Sequence, residues 1–150
     1  MQQAALALSH QYSGQIGAYV GFDESLAHLI EAGADIFLMP SRFEPCGLNQ
    51  LYSQRYGTPP IVHATGGLID TVVDCNAASL KRGDASGFVF DKMDAANLLA
   101  TAQRAVMTYH DKKTWRALQR NCMTKNFGWS DSAAAYHAIY SRLMRLNNNA

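Results

Sequence analysis

The chain has 150 residues, 48% hydrophobic and 17% charged, so it is long enough for one domain with a real core and too apolar to be intrinsically disordered. A formal net charge of +1 gives no general attraction for nucleic acid or for an anionic membrane surface. Three cysteines without a C-x-x-C pair predict neither a disulfide framework nor a zinc site, and no apolar run is long enough to span a membrane. The first ten residues lack the basic segment of a secretory signal, so we expect a cytoplasmic protein.

The first part of the chain alternates between helical and strand-like patterns. The predicted elements are a helix over 2–9, a strand over 15–20, a helix over 24–32 capped by Asp23, a strand over 36–39 buried on both faces, and a helix over 48–56. In the last of these, Leu48, Leu51, Tyr52 and Arg55 share one helical side. A start inside a helix is unusual for an α/β chain and indicates that upstream elements are missing.

The second part ends in a series of helices. The predicted elements are a strand over 60–63, a brief helix over 68–73, a polar loop over 74–86, a strand over 87–90, and helices over 95–109, 112–125 and 131–146 capped by Asp94, Asp111 and Ser130. Residues 147–150 are expected to fray. Strands that alternate with helices predict a parallel α/β sheet, followed here by a helical tail.

The loop over 41–47 lies between a strand and a helix, where ligands of open parallel sheets bind. Glu44 in this loop is a candidate because a carboxylate there can accept hydrogen bonds from sugar hydroxyls or balance charge on a reacting carbon. The alternative is a solvated carboxylate or one paired with Arg42.

Two glycine turns precede helices at what we expect to be the same edge of the sheet. Gly47 leads into Leu48 and Asn49, and the free N–H groups of such a helix start suit a phosphate. On spacing alone an ordinary helix start is favoured, and the common nucleotide fingerprints are absent. Thr65, Gly66 and Gly67 form the second turn, and two turns facing one crevice indicate a site more strongly than either alone.

For other residues the sequence gives weaker evidence of a function. Phe22 can stack on a planar ring, although packing is the commoner fate of a single phenylalanine. Cys46 has no neighbouring base and is interpreted as a small buried residue rather than a nucleophile. The five histidines show no metal spacing. Packing rather than binding is predicted for the aromatic and apolar residues of the tail, Trp115, Trp129, Tyr136, Tyr140 and Leu143.

The run S-R-F-E-P-C-G-L-N-Q-L-Y at 41–52 resembles the C-terminal region of the bacterial glycogen synthases and plant starch synthases that use ADP-glucose. The resemblance covers nearly the whole chain, and S-R-F-E-P-C-G-L is a highly specific run. It continues through Y-G-T-P at 56–59, T-G-G-L at 65–68, D-T-V at 70–72, G-F-V-F at 87–90, Trp115, and Trp129 with Ser130.

The resemblance implies a Rossmann-like sheet with flanking helices, the C-terminal half of a two-domain GT-B glycosyltransferase. It implies residues 1–129 as a partial nucleotide-sugar-binding domain, and 130–150 as a bracing helix with a frayed end. Such enzymes transfer glucose from ADP-glucose to the non-reducing end of an α-1,4-glucan, with retention of configuration and without a metal or other cofactor. The expected partners are ADP-glucose or ADP, the glucan acceptor and the N-terminal domain of the same enzyme, in the plastid if the source is a plant.

The resemblance also assigns roles to residues. Glu44 matches the catalytic carboxylate that holds the donor glucose hydroxyls and supports the oxocarbenium-like transition state. The other matched positions bind substrate: Cys46 and Gly47 contact the sugar, Leu48 and Asn49 the phosphates, Phe22 lies near adenine, Thr65, Gly66 and Gly67 line the crevice, and Tyr52 stands where related enzymes carry a ribose-binding glutamate.

Two stretches of the family are missing from these 150 residues. They are the upstream loop with the phosphate-binding arginine and lysine, and the N-terminal half with the acceptor site and a catalytic histidine. We therefore expect a fragment without turnover of its own. The alternatives are a non-catalytic module that binds nucleotide or glucan, and a GT-B enzyme with another donor such as UDP-glucose. The presence of Glu44 with both glycine turns argues against a non-catalytic module. Tyr52 and the S-R-F-E-P-C-G-L run argue against another donor.

Overall fold

The computed structural model describes residues 2–147, in which a three-stranded sheet is accompanied by eight helices. The elements are α1 Gln2–Gln11, α2 Glu24–Gly33, β1 Phe37–Met39, α3 Asn49–Tyr56, β2 Pro60–His63, α4 Gly67–Thr71, α5 Ala77–Arg82, β3 Phe88–Phe90, α6 Ala95–His110, α7 Lys112–Thr124 and α8 Trp129–Asn147. The strands are parallel and lie in the order β1-β2-β3. The predicted Rossmann-like α/β architecture with a helical tail is confirmed.

Aspartates begin three of the helices as predicted. The Asp23 carboxylate accepts a hydrogen bond from the backbone N–H of Leu26 at the start of α2. The Asp94 carboxylate accepts one from the backbone N–H of Asn97 at the start of α6. Asp111 accepts from two N–H groups at the start of α7. Each of these bonds satisfies N–H groups that have no partner within the helix.

The start of the last helix differs from the prediction. α8 begins at Trp129, so Ser130 lies inside it and is not its cap. The turn before α8 is instead organised by Asn126, whose side-chain oxygen accepts a hydrogen bond from the Gly128 N–H at 2.9 Å.

The core lies on both faces of the sheet because neighbouring strand residues point in opposite directions. Ile61 faces one cluster, in which the Phe88 ring stacks on Trp115 of α7 at 6.4 Å between ring centroids. Val62 faces a second cluster, with Leu68 and Val72 from the region of α4. The packing role predicted for Trp115 is confirmed.

Three predicted features around the sheet are wrong. No strand forms over 15–20, because within residues 2–147 no neighbouring strand pairs with this segment. β1 is not covered on both faces: it lies at an edge of the described sheet, and its Leu38 is 51% exposed. The predicted polar loop contains α5, because Asn76 and Ser79 form a reciprocal capping box that begins a helix.

No side chain of α1, and none at positions 129–146 of α8, is buried. Packing was predicted for Trp129, Tyr136, Tyr140 and Leu143, and this is wrong because all four are exposed. Their helical spacing forms an apolar stripe on α8 that no element within residues 2–147 covers. Residues 148–150, where fraying was predicted, lie outside the described residues. No helix between residues 2 and 147 combines the length and the apolar character that crossing a membrane requires.

Candidate functional site

The candidate site begins where β1 ends. Pro40 follows the strand, and because proline has no N–H it cannot extend the ladder of hydrogen bonds to β2. The loop over 41–47 then crosses the carboxyl edge of the sheet, where His63 lies at the end of β2. The His63 ring nitrogen Nδ1 lies 2.9 Å from the carbonyl oxygen of Ser41.

Glu44 lies half-buried in this loop with one contact to a protein donor. The Ser41 hydroxyl donates to its Oε2 at 3.4 Å, which is long for a bond of this kind. The ion pairs found within residues 2–147 are Arg82–Asp84 and Arg104–Asp74, so Arg42 does not neutralise Glu44. The carboxylate therefore keeps most of its capacity to accept hydrogen bonds.

The second glycine turn packs directly on the Glu44 loop. Gly66 has a φ of +47°, and a Cβ built on it overlaps the backbone oxygen of Glu44. A Cβ on Gly67 would lie 2.8 Å from the oxygen and 2.9 Å from the Cα of Cys46. The Gly67 N–H donates to the Pro45 oxygen at 3.1 Å. The structure thus brings together the two glycine turns that the sequence placed at one edge, and Thr65 begins the second of them.

A buried amide network, Gln50, Gln54 and Thr71, joins α3 to α4 beneath the two turns. The Gln50 Nε2 group donates to the backbone oxygens of Cys46 and Gly47 at 3.0 and 3.1 Å, and lies 3.3 Å from the Thr71 hydroxyl. Gln54 donates to the Thr71 backbone oxygen. The Thr71 hydroxyl in turn donates to the backbone oxygen of Gly67 at 2.7 Å, so the network links the turn before α3 to both ends of α4.

The buried side of α3 is polar, and it is not the side that Leu48, Tyr52 and Arg55 share. Its buried residues are Gln50, Ser53 and Gln54, whereas Leu48 and Tyr52 are 57% and 40% exposed. Burial of the amides is favoured because they satisfy backbone carbonyls that would otherwise lack partners. The i,i+4 spacing of the two glutamines was the signal for this arrangement in the sequence.

The start of α3 offers unpaired N–H groups. Leu48, its first flanking residue, makes no side-chain cap, and Gly47 before it has a φ of +71°. In the part of the chain that the structure describes, the N–H groups of Gly47, Leu48 and Asn49 have no protein acceptor. Together with the positive end of the helix dipole, they favour an anion at this point.

A cleft of about 580 Å³ opens between α2 and α3, next to the segment before α2. Four of the predicted substrate-binding residues line it: Phe22, Leu48, Asn49 and Tyr52. The Phe22 side chain is 94% exposed, so packing in the core is excluded and its ring is free to stack on a ligand. No lysine or arginine is among the lining residues, which also include Asp23, Glu24 and Glu31.

The predicted site residues therefore form two adjoining groups. Phe22 and Tyr52 line the α2–α3 cleft, Glu44 and Gly66 meet at the loop, and the start of α3 borders both. Cys46 was predicted to be buried and is exposed, because its backbone rather than its thiol packs against Gly67.

Sequence reasoning missed Glu31 and His63. Glu31 is only 4% exposed, lines the cleft, and its Oε2 atom has no hydrogen-bond partner among the described residues. Burial raises the pKa of the Glu31 carboxyl, and the charge of nearby His28 offsets part of the increase. Neither residue belongs to a recognisable motif, and both depend on which elements become neighbours in the fold.

Known proteins are similar to this chain in sequence and in fold. The chain is 55% identical to a glycogen synthase of Nitrosospira multiformis over 96% of its length, and 53% identical to one of Nitrosomonas eutropha over 100%. These matches cover 29% and 30% of the two relatives, so the chain spans less than a third of their length.

Two solved structures resemble the fold. The catalytic domain of starch synthase IV from Arabidopsis thaliana, described as bound to ADP and acarbose, has a TM-score of 0.83 and 34% identity, covering 93% of this chain and 29% of that one. A sucrose-phosphate synthase from Thermosynechococcus elongatus has a TM-score of 0.64 and 25% identity, covering 96% and 34%. The resemblance predicted from S-R-F-E-P-C-G-L is confirmed, as is the C-terminal GT-B fold. Because the model of the glycosyl transferases group 1 matches residues 3–120, which is most of the chain, this protein belongs to that family.

Proposed function

We propose that this chain forms the donor-binding part of a glycogen or starch synthase, which transfers glucose from ADP-glucose to the non-reducing end of an α-1,4-glucan with retention. The observation that carries the proposal is the order of three surfaces around α3. An aromatic cleft with no lysine or arginine among its described lining residues adjoins N–H groups at the helix start that lack a described protein acceptor, and these adjoin the half-buried carboxylate of Glu44. A nucleotide sugar has its base, phosphates and sugar in the same order.

The cleft would take the nucleoside. Phe22 supplies an exposed aromatic face on which a base can stack, and Tyr52 and Leu48 supply further apolar surface. The carboxylates along the cleft accept hydrogen bonds from amino or hydroxyl groups and repel phosphate. The nucleoside, rather than the diphosphate, therefore suits this part of the surface.

The diphosphate would lie at the N-terminus of α3. The N–H groups of Gly47, Leu48 and Asn49 are oriented donors, and the helix dipole adds partial positive charge. Gly66 and Gly67 support the proposal because the absence of their side chains lets the loop approach the second turn.

Glu44 would act on the donor sugar. Its carboxylate can accept hydrogen bonds from glucose hydroxyls and stabilise the positive charge that develops at the anomeric carbon of an oxocarbenium-like transition state. Departure of ADP requires positive charge in addition to the N–H groups, and no lysine or arginine lines the described cleft. We therefore expect the 150-residue chain to bind donor without turnover.

Residues 1–129 would form the donor-binding unit, and residues 130–150 would brace a second domain that supplies the glucan acceptor site. The exposed stripe on α8 supports this division, because Tyr136, Tyr140 and Leu143 present apolar surface without a covering element among residues 2–147. The glucan acceptor, the second domain and a cytoplasmic location, or a plastid in a plant, are parts of the same proposal.

Calorimetric titration of ADP and ADP-glucose into the purified chain tests the proposal. We expect ADP-glucose to bind about 10-fold more tightly than ADP, and Glu44→Ala to remove this advantage while it leaves ADP binding unchanged. Asp131→Ala, which removes an exposed carboxylate on α8, is the matched control. Equal affinity of the wild-type chain for both ligands, or loss of the advantage in the Asp131 variant, would contradict the role of Glu44. Tighter binding of UDP-glucose than of ADP-glucose would identify a different donor.

A further inference from the structure

His63 makes a directed contact with the loop that carries Glu44. Its Nδ1 atom lies 2.9 Å from the carbonyl oxygen of Ser41. A carbonyl oxygen only accepts hydrogen bonds, so Nδ1 must carry the proton in this arrangement. The neutral ring is thereby fixed with hydrogen on Nδ1 and a lone pair on Nε2.

This contact extends the attachment of β1 to β2 beyond the last paired residues. The register pairs Met39 with Val62, and Pro40 has no N–H with which to continue the ladder. The His63 side chain takes over at this point and holds the first residue of the loop. On its other side the ring packs on Phe90, its neighbour on β3, at 5.4 Å between centroids.

Ser41 connects His63 to Glu44. Its backbone oxygen accepts from His63, and its hydroxyl donates to Glu44 Oε2. The loop is thus held near its start by His63, the last residue of β2, and near its end by Gly66 and Gly67, which follow that strand.

We propose that His63 is a positioning residue: its Nδ1–H fixes Ser41, and through Ser41 the orientation of the Glu44 carboxylate toward the donor sugar. The proposal rests on the proposed function of Glu44 and adds the group that sets its position. It predicts that losing the donor at Nδ1 weakens sugar recognition without weakening recognition of the nucleotide.

A pair of amide substitutions separates this role from plain packing. The Asn side chain in His63→Asn can place its NH₂ where Nδ1 lies, whereas the longer side chain in His63→Gln places it nearer the position of Nε2. We expect His63→Gln to reduce the affinity for ADP-glucose about 3- to 10-fold relative to ADP, and His63→Asn to stay within about 2-fold of wild type. If His63 only packs on Phe90, both variants lower stability and neither changes the ratio of the two affinities, which would overturn the proposal.

A second measurement requires no ligand. In a ¹⁵N-labelled chain at alkaline pH, we expect the His63 resonances to show hydrogen on Nδ1 and none on Nε2. We also expect the amide signals of Ser41 and Glu44 to shift in His63→Gln and to stay near their wild-type positions in His63→Asn. Hydrogen on Nε2 instead would overturn the proposal, whatever the titrations show. If neither ADP nor ADP-glucose binds the wild-type chain, the donor-site proposal fails, and the ring spectrum still decides whether His63 holds Ser41.

Discussion

Gly66 lies against the backbone oxygen of Glu44 so closely that no side chain fits between them. The candidate catalytic carboxylate therefore depends on a glycine that comes 22 positions later in the sequence. The contact explains why the loop after β1 and the turn after β2 act as one structural unit. It also makes the position of Glu44 sensitive to a single methyl group.

Gly66→Ala should destabilise the chain by about 3 kcal/mol, through the positive φ and the overlap with a backbone atom. Urea unfolding followed by circular dichroism measures the change. Gly83→Ala is the matched control, because Gly83 also has a positive φ of +77° but its new Cβ meets nothing within 4 Å. Gly83→Ala should cost only about 1 kcal/mol, the strain of the left-handed backbone alone. Equal costs at the two positions would refute the close packing of the turns.

Gln50→Leu should lower the free energy of unfolding by about 2 kcal/mol. The substitution keeps a side chain of similar size but removes the donor for the backbone oxygens of Cys46 and Gly47, which then lie under α3 without a partner. Gln103→Leu, an exposed glutamine on α6, should change stability by less than about 0.5 kcal/mol. Thermal or urea unfolding of both variants checks the difference, and a neutral Gln50→Leu would contradict the role assigned to the amide network.

Phe22→Ala should weaken ADP binding about 10-fold and leave the stability of the chain unchanged. The ring is 94% exposed, so its removal creates no cavity, whereas stacking of a base on an aromatic side chain contributes about 1–3 kcal/mol. Trp129→Ala removes another exposed aromatic ring, one that does not line the α2–α3 cleft, and should leave the ADP affinity as it is. Calorimetric titration of ADP into both variants measures the difference. If the two substitutions change the ADP affinity equally, the base does not stack on Phe22.

Glu31→Gln should stabilise the chain at neutral pH by about 1 kcal/mol and have little effect near pH 4. Burial raises the pKa of Glu31 above its ordinary value of 4.5, so the folded chain holds this proton more tightly than the unfolded chain does. The free energy of unfolding therefore decreases as the pH rises from the ordinary pKa of a glutamate through the raised pKa of Glu31. Because glutamine cannot ionise, the Glu31→Gln variant should not show this decrease. Unfolding curves at several pH values measure it. Glu24→Gln on the same helix should show the wild-type dependence, and if Glu31→Gln does so too, the buried carboxyl is not the cause.

Local patterns in the sequence predicted most of the helices and the strands that pair. Asp23, Asp94 and Asp111 marked helix starts because a capping bond involves residues only two or three positions apart. The strand predicted over 15–20 failed because a strand requires a neighbour, and the apolar pattern of one segment does not contain that information.

The same distinction applies to the site. Glu44 and the two glycine turns were predicted because they form a compact motif, and the structure brings them into contact. His63 and Glu31 were missed because their roles depend on elements distant in sequence, the loop after β1 and the packing of α2 on α3. The buried side of α3 was not predicted, because its two glutamines are buried through hydrogen bonds to backbone carbonyls and not through apolar periodicity.

Because the described side chains of α1 and α8 are not buried, these two helices should open and close faster than the sheet. Helices of this length are held together in water mainly by packing, so their amide hydrogens should exchange with deuterium far sooner than those of β2, whose first three residues are buried. The chain would thus combine a slowly exchanging interior with two rapidly opening ends. Because Glu44, Gly66 and His63 all lie within or beside the slow part, the geometry of the candidate site would persist while the terminal helices unwind and re-form.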